Sequence, residues 1–115
     1  MGEDYDKTIS ILAYIPFVGW IIALILNSDK QVGEKAYNAY HLRQGLGLFI
    51  AYLLYSILNW LVTWIPGIGY LIDSIIVISF VLIALLGITN AYRGYKKPLP
   101  FFGETINKIL TGAFE

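Results

Sequence analysis

The sequence predicts an all-α integral membrane protein with three transmembrane helices and a C-terminal amphipathic helix. Hydrophobic residues make up 57% of the 115 residues and charged residues 14%, whereas a soluble domain carries about 25% charged residues. Residues 46–65 contain no charged side chain. Twenty helical residues rise roughly 30 Å, which is the thickness of the hydrocarbon core of a bilayer. Two further apolar runs flank this segment and complete the prediction.

A chain of this length is predicted to form a single membrane domain over residues 1–115, with spans at about 9–27, 45–65 and 70–92 and an amphipathic tail at 101–114. The net charge is zero and there is no cysteine. These facts give no basic surface for nucleic acid and exclude disulfides, thiolate metal sites and a thiol nucleophile. Because the N-terminus is acidic (Glu3, Asp4, Asp6) rather than basic, we expect the first apolar run to be retained and not cleaved as a signal peptide.

The first apolar run has Pro16 in its middle and Gly19 shortly after it. Proline removes a backbone hydrogen bond and clashes with the preceding turn, so the sequence predicts a kink or a broken helix there. We expect one kinked span; the alternative is a short interfacial helix followed by an abbreviated span. Turn residues then occupy 27–34, and from Lys35 an amphipathic segment is predicted to run continuously into the second span.

The second span opens on a polar cluster of His41, Arg43 and Gln44. We expect these residues at the membrane interface, where they would hydrogen-bond to lipid headgroups or to carbonyls of a neighbouring helix. Polar residues within the span share one helical face. They are Tyr52, Ser56, Asn59 and Thr63. Such a face is typical of helix packing in membranes, and the alternative is that it lines a path for a substrate.

A tight turn containing Pro66, Gly67 and Gly69 is predicted to join the second and third spans. Asp73 lies one turn inside the third span. A carboxylate inside a membrane is a candidate functional residue, but near a helix start it also interacts favourably with the helix dipole, so both interpretations are kept. Small residues further along predict a helix-contact face, within the chain or between subunits. They are Ala84, Gly87, Ala91 and Gly94.

After the third span, Pro98 and Pro100 end the helix. The tail at 101–114 is too short and too polar to span, so we expect it to lie on the membrane surface or to dock against the other helices. The basic residues of the chain fall almost entirely in two groups. These are Lys30, Lys35 and Arg43, and then Arg93, Lys96, Lys97 and Lys108. With three spans both groups lie on one side, which the positive-inside rule makes cytoplasmic, so the N-terminus is predicted outside and the C-terminus inside.

One short pattern occurs twice, as YIPFVGW from Tyr14 and as WIPGIGY from Trp64, fifty residues apart. Two interpretations stay open. The pattern marks either a degenerate repeat of a helical hairpin or the recurrence of one kind of helix end.

The sequence resembles the Tic20-like family of small membrane proteins, which is related to the chloroplast inner-envelope import component and to the magnetosome protein MamF. The resemblance rests on HLRQG at the start of a span, the IPGIG turn and the KPLP segment, in that order. It implies a small polytopic protein of the prokaryotic cytoplasmic membrane or a derived internal membrane. It implies a fold more than an activity, because most prokaryotic members have no assigned function.

The sequence contains no pattern of residues that indicates an enzyme. His41 is the only histidine, so a metal site built from two histidines of one chain is excluded, and no nucleophile motif is present. We expect no cofactor apart from bound lipid; haem or chlorophyll ligation through His41 is the weaker alternative. The predicted function is a non-enzymatic scaffold or accessory subunit, with the bilayer and other membrane subunits or a second copy as partners. The alternative is an oligomeric component of a translocation assembly.

Overall fold

The computed structural model describes residues 5–115, which form five α-helices: α1 (Thr8–Leu12), α2 (Val18–Asn27), α3 (Val32–Thr63), α4 (Gly69–Arg93) and α5 (Gly103–Ile109). Two of them, α3 and α4, are long and apolar enough to cross a membrane, by length and composition. The amphipathic segment from Lys35 does run continuously into the second apolar segment, since both belong to α3.

The first apolar run does not form the single kinked span that we expected. It breaks into α1 and α2, joined by a turn in which Phe17 has a φ of 57°. The ten residues of α2 rise about 15 Å, half of what a span needs. Pro16 cannot continue a helix, and the chain reverses there instead of bending. A third span is therefore not confirmed.

The two ends of this first run lie together, beside the start of α3. The rings of Tyr5 and Tyr37 are 5.6 Å apart, and Asn38 donates a hydrogen bond of 3.0 Å to the side chain of Asn27. At the turn between α1 and α2, Phe17 stacks on Phe49 at 6.1 Å. Thus α1 and α2 form a helical hairpin that runs along α3 and returns. We call residues 8–27 the short hairpin.

The pattern that occurs twice forms the same turn twice. Residues 13–17 and 64–68 both follow a helix and reverse the chain, and the residue after each proline has a positive φ, 57° at Phe17 and 80° at Gly67. A Cβ on Gly19 would lie 3.0 Å from the carbonyl oxygen of Leu12, and one on Gly69 would lie 2.6 Å from that of Val62. The same backbone approach recurs fifty residues later, so each copy closes a helical hairpin.

Packing divides the molecule into two parts along its long axis of 53 Å. In the arm, residues 50–86 of α3 and α4, Gly69 is the one buried residue. In the head, residues 5–49 and 87–115, the short hairpin and the tail surround α3 and the end of α4. A helix pair as apolar and as exposed as the arm is unsuited to water and suited to lipid.

Candidate functional site

The candidate site is a cluster of buried polar and aromatic side chains in the head, where the short hairpin and the tail pack on α3. It contains the three residues that the sequence placed at the membrane interface. In the structure His41 and Gln44 are fully buried and Arg43 is 5% exposed, so these residues contact neighbouring segments of the chain and not lipid headgroups. The reason is that the chain covers them with segments more than 25 residues away on either side.

His41 lies among the rings of three tyrosines. The hydroxyl of Tyr14 is 2.6 Å from Nδ1, and the rings of Tyr14, Tyr37 and Tyr40 contact the imidazole edge to face with centroids 5.0 to 5.5 Å away. The backbone of Tyr95 lies beside the imidazole, and Nε2 forms no hydrogen bond of good geometry with the described residues. Haem or chlorophyll ligation by His41 would need these rings to move away, because an axial ligand needs an open side.

Gln44 fixes the start of the tail to α3. Its Nε2 donates to the carbonyl oxygen of Gly103 at 2.8 Å, and its Oε1 accepts from the backbone amide of Leu99 at 2.8 Å. Both ends of the amide are therefore satisfied in a buried setting, as buried polar groups require. This outcome fits one part of the sequence prediction, hydrogen bonding to the backbone of a neighbouring segment, but not the contact with headgroups.

Arg43 fixes the end of the tail. Its guanidinium donates to the side chain of Asn107 at 3.2 Å, to the carbonyl oxygen of Ala113 at 3.1 Å and to the carboxylate of Glu115 at 3.0 Å. A buried cation is tolerated because it is paired and hydrogen-bonded. The tail therefore docks against the other helices, one of the two arrangements predicted, and its polar residue Asn107 faces the bundle.

Further contacts join the short hairpin to both long helices. Trp20 Nε1 donates to the carbonyl oxygen of Leu42 at 2.8 Å, and the ring of Tyr14 lies directly over Gly87. The predicted small-residue face is therefore a contact face within the chain. Gly87 and Ala91 are buried and Ala84 is half-buried, while Gly94 ends α4 in a left-handed conformation with a φ of 81°.

The four polar residues predicted to share one face of α3 have different partners in the arm. Ser56 and Thr63 hydrogen-bond to carbonyl oxygens of their own helix, as hydroxyls in lipid often do, and Tyr52 packs edge-on against Phe80. Asn59 and Asp73 are brought together: Asn59 Nδ2 and the hydroxyl of Tyr55 both donate to one oxygen of Asp73.

Tyr55 is a residue that the sequence analysis missed. Its spacing of four from Asn59 places both on one side of α3, which is a signal that was present in the sequence. The missed residues of the head are Tyr14, Asn27 and Asn38, and their partners lie on other elements.

Removal of the Asp73 carboxylate should weaken the pairing of α3 with α4 in the half of the arm that is next to the turn at 64–68. We expect Asp73→Ala to lower the melting temperature in detergent, because the amide of Asn59 and the hydroxyl of Tyr55 lose their shared acceptor; interhelical hydrogen bonds in membranes contribute roughly 1 kcal/mol each. Ser74→Ala is the matched control, since Ser74 is exposed and bonds only its own helix. Equal melting temperatures for the two variants would contradict this role.

An apolar groove lies beside the turn of the short hairpin. Its volume is about 430 Å³ and it is lined by Phe17, Phe49, Tyr52, Phe80 and neighbouring aliphatic side chains of α3 and α4. Among residues 5–115, no group of three or more His, Asp or Glu side chains is placed to hold a metal ion.

Comparisons with known proteins come from sequence. The sequence model of the magnetosome magnetite crystal formation protein family (MamF/MmsF) matches residues 5–106. A membrane protein of the group UPF0132 from Methanocaldococcus jannaschii is 29% identical over 105 residues, which cover 90% of this chain and 70% of that protein. No solved structure matches the chain.

Proposed function

Because the chain belongs to the magnetosome magnetite crystal formation protein family, we propose that it is a non-enzymatic scaffold or accessory subunit of a complex in a prokaryotic cytoplasmic membrane or an internal membrane derived from it. One observation carries this proposal. Apart from the turn at 64–68, every described segment outside the long apolar helices lies at one end of the molecule. The protein thus offers partners a single packed surface, the exposed surface of the head (residues 5–49 and 87–115), which we call the outer face of the head. The kinship with Tic20-like proteins remains a prediction.

The same arrangement supports a topology of two spans and one re-entrant hairpin. From Lys35 to Thr63, α3 rises about 42 Å, which matches a bilayer with its headgroup regions. Trp60, Trp64 and Tyr70 are exposed at the far end, as in an aromatic belt. Phe49, where the turn of the short hairpin rests, lies about 21 Å above Lys35, at the midplane. The short hairpin then enters one leaflet and returns to the same surface.

The basic residues determine which surface this is. Those on the described segments lie in the head, in or next to α1, α3, α4 and α5, and the positive-inside rule makes the head cytoplasmic. The C-terminus stays inside, as predicted from the sequence. In this topology the start of the described chain is inside and not outside as predicted from the sequence, because a re-entrant hairpin returns to the surface it entered.

Cysteine labelling tests this topology, and the native chain has no cysteine to interfere. On intact cells a membrane-impermeant maleimide should label Ile68→Cys but neither Asp6→Cys nor Asp29→Cys, and all three should react once the cells are opened. These positions are exposed. Labelling of Asp6→Cys together with Ile68→Cys would instead restore the three-span topology.

The scaffold function is tested by native mass spectrometry of the protein extracted from its own membrane in a mild detergent. We expect a defined complex with other subunits. Exchange of the exposed charges of α5, in the double variant Glu104→Lys with Lys108→Glu, should lower recovery of the partners without unfolding the protein. Ile68→Ser, at the opposite end, is the control. A homo-oligomer alone, with assembly retained but transport lost in Asn59→Leu and Asp73→Leu, would favour the translocation alternative.

A further inference from the structure

The cross-section of the protein differs between its two halves. The arm consists of two helices, which occupy about 20 × 10 Å with their side chains. The head adds the short hairpin and the tail around the same two helices, and the molecule measures 24 × 22 Å across its long axis. In the two-span topology proposed above, the leaflet that contains the head therefore accommodates more protein than the other leaflet, because the short hairpin and the tail are added to the same two helices there.

The outer face of the short hairpin is suited to hydrocarbon. Val18 is 68% exposed and Ile25 is 65% exposed, and the other outward side chains of α2 are equally apolar: Ile21, Ile22 and Leu26. The inner face carries the polar contacts, through Trp20 and Asn27. In the two-span topology this exposed apolar face lies among the acyl chains of one leaflet.

The added volume is held in a fixed position. A Cβ on Gly45 would collide with the carbonyl oxygen of Ala13, so the backbones of the short hairpin and α3 are in direct contact. Tyr14 in the turn after α1 donates or accepts a hydrogen bond at His41, and Trp20 in α2 donates to the carbonyl oxygen of Leu42. The short hairpin cannot leave the side of α3 without breaking these contacts. The head therefore stays wider than the arm, and this tapered shape is a property of the fold.

A tapered body in one leaflet disturbs lipid packing in a flat bilayer and disturbs it less where that leaflet is convex. We propose that this protein recognises and stabilises membrane curvature, with its head in the convex leaflet and the lipid surface itself as the partner. The proposal rests on the two-span topology. It assigns a function to the short hairpin, which the scaffold proposal leaves without one.

The test uses the full chain labelled with a fluorophore at Ile68→Cys and reconstituted into vesicles of mixed diameter. Single-vesicle fluorescence gives the protein density per membrane area, and an impermeant quencher gives the orientation of each population. Protein with its head outward should become severalfold denser as vesicle diameter falls, whereas protein with its head inward should not. Density independent of diameter in both orientations would overturn the proposal.

Two variants locate the effect. Ile21→Ala with Ile25→Ala removes exposed volume from the head leaflet and should weaken the dependence on diameter, while Ile57→Ala with Leu61→Ala removes exposed volume from the arm and should not weaken it. Equal effects of the two pairs would contradict a role of the short hairpin. If Asp6→Cys and Asp29→Cys react on opposite sides, the topology fails; if they react on one side and density does not follow diameter, only the curvature proposal fails.

Discussion

Gly45→Ala should detach the short hairpin from α3 and destabilise the protein more than any other single methyl group added in the head. A Cβ at this position would collide with the carbonyl oxygen of Ala13 and lie 3.0 Å from its carbonyl carbon. These are backbone atoms, so no side-chain rotation relieves the clash. Overpacking of this kind costs about 1–3 kcal/mol. The ring of Trp20, 3.4 Å from the same position, adds to the crowding.

The measurement is thermal unfolding in detergent combined with limited proteolysis. Gly45→Ala should lower the melting temperature and speed cleavage of the short hairpin by a protease, because the short hairpin is no longer held against α3. Gly33→Ala is the matched control in the same helix, because a Cβ there would meet only the hydroxyl of Tyr5, at 2.8 Å, and that side chain can rotate away. Unchanged stability of the Gly45 variant would mean that the short hairpin is not packed on α3 as described.

The two long helices could be predicted from the sequence, and the short hairpin could not. Length and hydropathy placed spans at about 45–65 and 70–92, and helices lie there. The first run is long enough for a span, and Pro16 predicts a break but not the direction of the chain after it. That direction is set by contacts that no local pattern reveals, such as the hydroxyl of Tyr14 on His41, 27 residues away.

The polar cluster at the start of α3 shows the same limit. His41, Arg43 and Gln44 precede an apolar run, a position typical of the membrane interface. They are buried because the tail returns from 55 to 72 residues further along the chain to bond with Gln44 and Arg43. The IPxxG pattern that occurs twice is the exception, because each copy lies at the turn where a helical hairpin reverses the chain.

Gln44→Ala should release the tail while leaving the two long helices paired. The substitution leaves the buried amide of Leu99 without its acceptor, which costs about 1–3 kcal/mol, and removes the hydrogen bond from Gln44 to the carbonyl oxygen of Gly103. Because the tail contacts α3 near Gln44, it can separate and expose these groups to water, so the loss should appear as local opening. Hydrogen exchange of the Leu99 amide measures this directly and should become much faster.

Two further variants separate a hydrogen-bonding role from simple filling of space. Gln44→Glu keeps an acceptor for the amide of Leu99 but sets a carboxylate oxygen against the carbonyl of Gly103, so exchange at Leu99 should rise less than in Gln44→Ala while the remainder of the tail still opens. Gln31→Ala, at the exposed start of α3, should change neither. If Leu99 exchanges at the native rate in Gln44→Ala, then Arg43 and the packing of Ile106 against Gly47 hold the tail without help from Gln44. The outer face of the head would then depend on the ion pair between the buried Arg43 and the exposed Glu115, and Arg43→Met would be the variant that releases it.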